Sequence, residues 1–216
     1  MVAAFLAALV FLIVFFTTVK LLKIQISFKY GQLLSLLLFF IPLSFVMACI
    51  HEFGHAVWGI LVGGTATSIQ VAYLKLYQVI QLTPHFAVGS VSIEGISGFE
   101  YDLSLVGGSI TTNIVAWLLP LTLHRVPLSI NTQHLLQILG LFGLLDLPFY
   151  VFFPKIGLRH WIVIGGNQPE PLLGARLMGI PDPVFYIAVG FITSVLSVLY
   201  LKPFLKKFQR LLLTIH

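Results

Sequence analysis

The sequence predicts an all-α polytopic membrane protein with about five transmembrane helices and a small β-hairpin or sheet insertion at the membrane surface. Three observations predict it. Of 216 residues, 58% are hydrophobic and 9% charged, with a mean hydropathy of +1.03; soluble domains carry about 25% charged residues. Five apolar runs come close to or exceed the roughly 20 residues that a helix needs to cross a bilayer. Between the second and third runs lies one stretch of a different kind, Thr65 to Asp102, with β-type composition. A single membrane-embedded domain over residues 1–216 accounts for the length.

Val2 to Val19 is the first run. It has no charged region before it and no convincing small-residue cleavage site, so it is expected to stay as an anchor. Lys20, Lys23 and Lys29 follow it. Leu33 to Val62 is the second, and at 30 residues it is longer than a crossing requires. A kink at Pro42, or an end projecting past the hydrocarbon, takes up the excess. Gly63-Gly64 stops the helix, because glycine adopts the left-handed conformation that closes a helix C-terminus.

In the β-type stretch, Ser68 to Val71, Tyr77 to Leu82 and Phe86 to Glu94 favour strands, and Ser90 to Glu94 alternates polar and apolar. One or two hairpins are expected. Such a hairpin either caps the helices or offers an edge to an unwound peptide. The third run, Leu103 to Leu121, carries Gly107-Gly108-Ser109 and Thr111-Thr112-Asn113, small and polar residues that let helices approach closely. Asn113 is also a candidate for contact with substrate or an oxyanion. The fourth, Leu135 to Phe153, buries Asp146 two residues before Pro148. Pro154 to Pro181 is mixed, with a short apolar Ile162-Val163-Ile164, an irregular Gly165 to Pro171 and a short helix. The fifth run is Val184 to Leu201. After it, Lys202 to His216 sets Phe204, Phe208, Leu211 and Leu212 on one helical face, which suits a helix lying on the membrane.

The chemistry concentrates in His51-Glu52-Phe53-Gly54-His55, inside the second run. Residues four apart share a helix face, so His51 and His55 can turn their rings to one point. Two imidazoles so placed suit a tetrahedral zinc ion, and Glu52 beside the first is placed to act as general base on an activated water. With seven histidines in the chain, a chance occurrence of the motif is on the order of 0.004. Ionisable groups within an apolar span are costly, which also argues for a site. Cys49 lies on nearly the opposite side of the helix and reads as a packing residue. His85, His124, His134 and His160 sit near span ends or in loops, where interfacial placement explains them without metal.

The net charge of +5 does not mark a nucleic-acid binder; the basic residues flank apolar runs, where they set orientation and meet anionic lipid head groups. Lys20, Lys23, Lys29, Arg125, Lys202, Lys206, Lys207 and Arg210 fall on one side, and Lys75, Lys155, Arg159 and Arg176 on the other. The positive-inside rule puts the larger group, and the tail, in the cytoplasm. Runs two and four then cross in the same direction, which sets His51 and Asp146 at similar depth.

A His-Glu-Phe-Gly-His helix in a membrane span, followed by Gly-Gly, a β-rich segment and a Gly107-Gly108-Ser109 span, resembles the site-2 protease family of intramembrane zinc metalloproteases. The likeness covers roughly Leu33 to Pro181 and marks a divergent member. It implies one zinc ion per chain and cleavage of a transmembrane helix of a membrane-protein substrate. In that family the third ligand is an aspartate in an Asn-x-x-Pro-x-Pro-x-x-Asp-Gly-like motif, of which this sequence has no clean Asp-Gly copy. Asp146 is the preferred third ligand, because a lone carboxylate in a span needs a partner. Glu170, in Gln-Pro-Glu-Pro before Gly174, is the alternative, brought to the metal by a re-entrant loop; Asp146 would then orient a histidine. Other classes fit parts of the pattern: an inactive descendant that binds a partner, a metal-ion transporter, or a membrane metalloprotease of the type that trims prenylated proteins, whose third ligand is a glutamate.

Overall fold

The computed structural model describes residues 30–128, 130–160 and 166–213. Five α-helices and one antiparallel pair of strands make up this part. Helix α1 is Tyr30–Leu61, with Pro42 inside it. Strands β1 (Thr65–Tyr77) and β2 (Gln81–Glu94) follow, then helix α2 (Phe99–Arg125) and helix α3 (Ile130–Phe152). A 3-10 turn at Pro154–Ile156 leads towards the short helix α4 (Glu170–Leu177), and helix α5 is Asp182–Leu213. Four of the helices are long and apolar enough to cross a membrane: Pro42–Leu61, Phe99–Pro120, Leu135–Phe152 and Asp182–Leu199. The expected anchor at Val2 to Val19 and the short apolar Ile162 to Ile164 lie outside the described residues, so the expected five spans stand as four among those described.

Helix α1 stops where glycine stops it. Gly63 takes φ 96°, and Gly64 N donates back to Gly59 O at 2.9 Å, which satisfies a terminal carbonyl. The hairpin then folds back on α1. Ile69 and Val71 point to one side of β1 and are buried, with Ala66 and Ile69 packed on Ala56. Ile93 of β2 rests on Gly59, where a Cβ would stand 2.5 Å from its Cδ1. There is one hairpin, with Thr65 opposite Glu94 and Lys75 opposite Gln81. The register shifts three times along it, and Ala72 takes φ 55° at one of these irregularities. The expectation of a strand across Tyr77 to Leu82 fails because residues 78–80 form the turn.

Helices α1 and α2 run antiparallel and close. A Cβ on Gly54 would stand 2.7 Å from Thr111 Oγ1, and one on Gly107 would stand 2.7 Å from Trp58 Cβ. The small residues of α2 therefore pack as read from the sequence. Helix α3 lies against α2, and a Cβ on Gly143 would stand 2.7 Å from Thr112 O. Helix α4 tucks Gly174 against Asp102 O of α2, and α5 packs through Val189 and Leu196 on α3. On the part of α5 up to Leu199, Val184, Ile187, Phe191 and Val198 are exposed and present a side suited to lipid rather than water. The tail is not a separate helix, because α5 continues without a break to Leu213.

Candidate metal centre

The sequence places His51, Glu52 and His55 on one stretch of α1, and the fold buries all three. His51 Nε2 and His55 Nε2 face each other at 3.1 Å. Each ring is held from behind. His55 Nδ1 donates to Ser104 O of α2 at 2.7 Å, and Ser104 Oγ donates back to His55 O at 3.3 Å. His51 Nδ1 donates to Asp146 Oδ2 of α3 at 3.0 Å. Each Nδ1 faces an acceptor, which leaves the two Nε2 atoms as the ring nitrogens turned toward a shared point. A hydrogen bond between these nitrogens needs a proton on one ring, and a cation bound to both would take that proton's place. Tetrahedral zinc with bonds of about 2.0–2.1 Å spaces its ligand atoms by roughly 3.3 Å, close to the separation seen.

The third member of the cluster is Glu170, at the start of α4. Its Oε2 lies 3.6 Å from His55 Nε2, and the ligand atoms of His51, His55 and Glu170 all lie within 4.8 Å of one another. Partial burial raises the Glu170 carboxyl above its usual range, and the neighbouring His51 pulls it back. The set of two imidazoles and one carboxylate has the chemistry of a site that leaves a coordination position open. Space for an ion comes from Gly108 on α2, where a Cβ would stand 2.4 Å from His55 Nε2 and 2.6 Å from His51 Nε2. A side chain there would fill the point at which the two nitrogens converge.

Asp146, the preferred third ligand, is not among the three residues of this cluster, which contains the alternative, Glu170. Its Oδ2 accepts from His51 Nδ1, from Ser109 Oγ at 3.2 Å and from Thr112 Oγ1 at 2.7 Å. These three donors account for a buried carboxylate, and they hold it on the far side of the His51 ring from Nε2. Asp146 thus orients a histidine, the role left to it if Glu170 were the ligand. Helices α1 and α3 run in the same direction, with Met47 beside Gly143 and His51 bonded to Asp146.

Glu52 is buried beneath the hairpin. Strand β2 crosses it at Gly89, where a Cβ would stand 1.9 Å from Glu52 Oε1. Only a residue without a side chain lets the strand backbone lie on that carboxylate. Asn113 is buried and its amide donates to Ser109 O at 3.1 Å, one turn back in α2. That bond serves α2 itself and does not bring Asn113 to the cluster. Cys49 lines an apolar groove with Val46, Phe53 and Val57, consistent with packing.

Among the remaining histidines, His85 is exposed on the hairpin. The side chains of His124 and His134 lie outside those described. His160 is buried, at 2% exposure, with Nε2 donating to Gln168 O at 2.5 Å. Burial lowers its affinity for a proton, which keeps the ring neutral. Sequence reasoning also missed Ser104, Gly89 and Tyr150. The ring of Tyr150 stacks on that of His51 at a centroid distance of 4.7 Å. A glycine in the interior of a strand was the available signal for Gly89; nothing in the sequence singled out the other two.

Comparison of the chain with protein-family models, with curated proteins and with solved structures finds no match.

Proposed function

We propose that this chain is an integral-membrane zinc endopeptidase that hydrolyses peptide bonds in transmembrane helices of membrane-protein substrates. The observation that carries the reading is the pair of Nε2 atoms converging at 3.1 Å, with Glu170 on one flank and Glu52 buried one residue from His51. The likeness of the motif and its setting to the site-2 protease family supports it from the sequence side. His51, His55 and Glu170 would hold the ion. Bound zinc supplies a Lewis acid that polarises a carbonyl and makes water more acidic.

The chain's own residues do the rest. Asp146 and Ser104 fix the tautomers and the angles of the two rings. Glu52 takes a proton from the attacking water and returns it to the leaving amine. Strand β2, lying on Glu52, offers a template: a peptide paired along it in extended form passes within a strand spacing, about 4.8 Å, of that backbone. Pairing requires the substrate helix to unwind, which frees a carbonyl otherwise spent within the helix.

The test measures metal by elemental analysis, and cleavage of a helix-destabilised transmembrane reporter in detergent micelles. Wild type is expected to hold about one zinc per chain and to cut the reporter. His51→Ala loses both, whereas Glu52→Gln keeps the metal and loses cleavage. Folded wild-type protein that binds no added zinc would sink the proposal. Zinc binding with no Glu52-dependent cleavage would favour a protein that keeps the fold to bind a partner.

A further inference from the structure

His51 and His55 sit on a helix built into the core, but Glu170 is carried by a segment of another kind. Pro169 precedes it, and no side chain caps the start of α4. What aims this carboxylate is therefore a question about the backbone from Gly166 to Glu170. That backbone is tied to one residue. His160 N donates to Gly166 O at 3.3 Å, and His160 Nε2 donates to Gln168 O at 2.5 Å. The same Gln168 carbonyl accepts from Glu170 N at 2.9 Å. One oxygen thus links the imidazole to the residue that presents the carboxylate.

The imidazole is itself fixed. Its ring packs on Tyr150 at a centroid distance of 3.8 Å, and the other face of Tyr150 stacks on His51. Tyr150 follows Asp146 by one helical turn, so α3 supports His51 through a carboxylate and through a ring. A carbonyl only accepts, so Nε2 carries the proton, and Nδ1 of His160 is left buried with no hydrogen-bond partner among the described residues. Leaving that nitrogen unpaired costs free energy, and a phenylalanine would fill the place without the cost. The ring's one use for its polarity is the bond to Gln168.

We propose that His160 is a positioning residue: by holding the Gln168 carbonyl, it sets Glu170 against the two histidine Nε2 atoms, and with Tyr150 it ties that carboxylate to His51. This rests on the reading of Glu170 as a metal ligand. The role requires a donor at the position of Nε2. His160→Phe keeps the stack and removes the donor. His160→Asn keeps polarity but is too short to reach, and His160→Gln puts an amide N–H near the place of Nε2.

The experiment titrates zinc against a competing chromophoric chelator in micelles, with helix content checked by circular dichroism. The same His160 variants are also made in a Glu170→Gln background. Removing a group that orients a ligand weakens metal binding about tenfold or more. His160→Phe and His160→Asn are expected to show that loss and His160→Gln to restore most of it. In the Glu170→Gln background, His160→Phe is expected to add no further loss, because its action passes through that carboxylate. Unchanged zinc affinity in His160→Phe, or an equal loss in both backgrounds, overturns the proposal and leaves Glu170 as a ligand. Zinc binding that is as tight in Glu170→Gln as in wild type overturns both. His160→Asn carries the test if His160→Phe does not fold.

Discussion

Gly108→Ala separates the metal site from the packing around it. The new methyl carbon would stand 2.4 Å from His55 Nε2 and 2.6 Å from His51 Nε2, where side-chain carbons essentially never come within 3.0 Å of other heavy atoms. At least one ring must retreat by about 0.6 Å, the shortfall at His55. Both rings are buried and bonded from behind, to Asp146 and to Ser104 O, so neither retreats freely. An ion about 2.0–2.1 Å from both nitrogens, on the side that faces Gly108, would overlap the methyl. Two effects on stability oppose one another: alanine favours the helix over glycine by about 1 kcal/mol, and overpacking costs about 1–3 kcal/mol. The net change in stability is therefore small, while zinc affinity falls by more than about 100-fold, beyond the range for loss of an orienting group. The assay is zinc titration in micelles beside a thermal melt. Gly107→Ala is the control, since its Cβ would meet Trp58 at 2.7 Å rather than the histidines; it is expected to change stability to a similar extent and keep the metal. Wild-type zinc affinity in Gly108→Ala would refute the placement of the site.

Gly89→Ala drives a methyl into the Glu52 carboxylate; reporter cleavage is expected to fall at least about tenfold with zinc content unchanged, since no ligand moves. Loss of zinc along with cleavage would count against Glu52 as a base that is not a ligand. Asp146→Asn keeps an acceptor for Ser109 and Thr112 but removes the charge behind His51, and zinc affinity is expected to drop about 10–100-fold. If instead Asp146→Asn abolishes binding and Glu170→Gln leaves it intact, the third ligand is Asp146. A reporter fused after Arg210 is expected in the cytoplasm, by the excess of basic residues on that side; its appearance on the other side would reverse the orientation.

The sequence announces the helices because an apolar run of about 20 residues has few other uses, and Gly63-Gly64 marks the end of α1 by its conformation alone. It announces the histidines because a four-residue spacing becomes a shared face in any helix. It does not announce which carboxylate completes the set, for a definite reason. A buried charge demands a partner but does not name one, and Asp146 finds three donors that no spacing rule pairs with it: His51, Ser109 and Thr112. Glu170 carries the opposite signal. It sits among prolines and polar residues, where a carboxylate needs no explanation, and only the docking of α4 on α2 through Gly174 brings it to His55. Gly89 and Gly108 are hidden for a similar reason. What matters at both is the space a missing side chain leaves for a residue far off in sequence, and that space exists only after α1, α2 and β2 have met.

The two kinds of ligand also divide the work. His51 and His55 are preset: their rings are buried, bonded at Nδ1 and pressed between helices that pack through glycines. Glu170 is different. Its side chain is 39% exposed, and it begins a helix of eight residues reached through a loop. Loss of its hold on Gln168 would leave the two histidines in place and the third side of the site open. A change in metal affinity is thus more readily made at the His160–Gln168–Glu170 link than within the packed helices, where the same change would cost the fold. The Glu170 double-variant cycle measures how far the two parts are coupled. Coupling confined to His160 and Glu170 supports this division, and equal coupling of His160 to His55 would show that the whole site moves as one body.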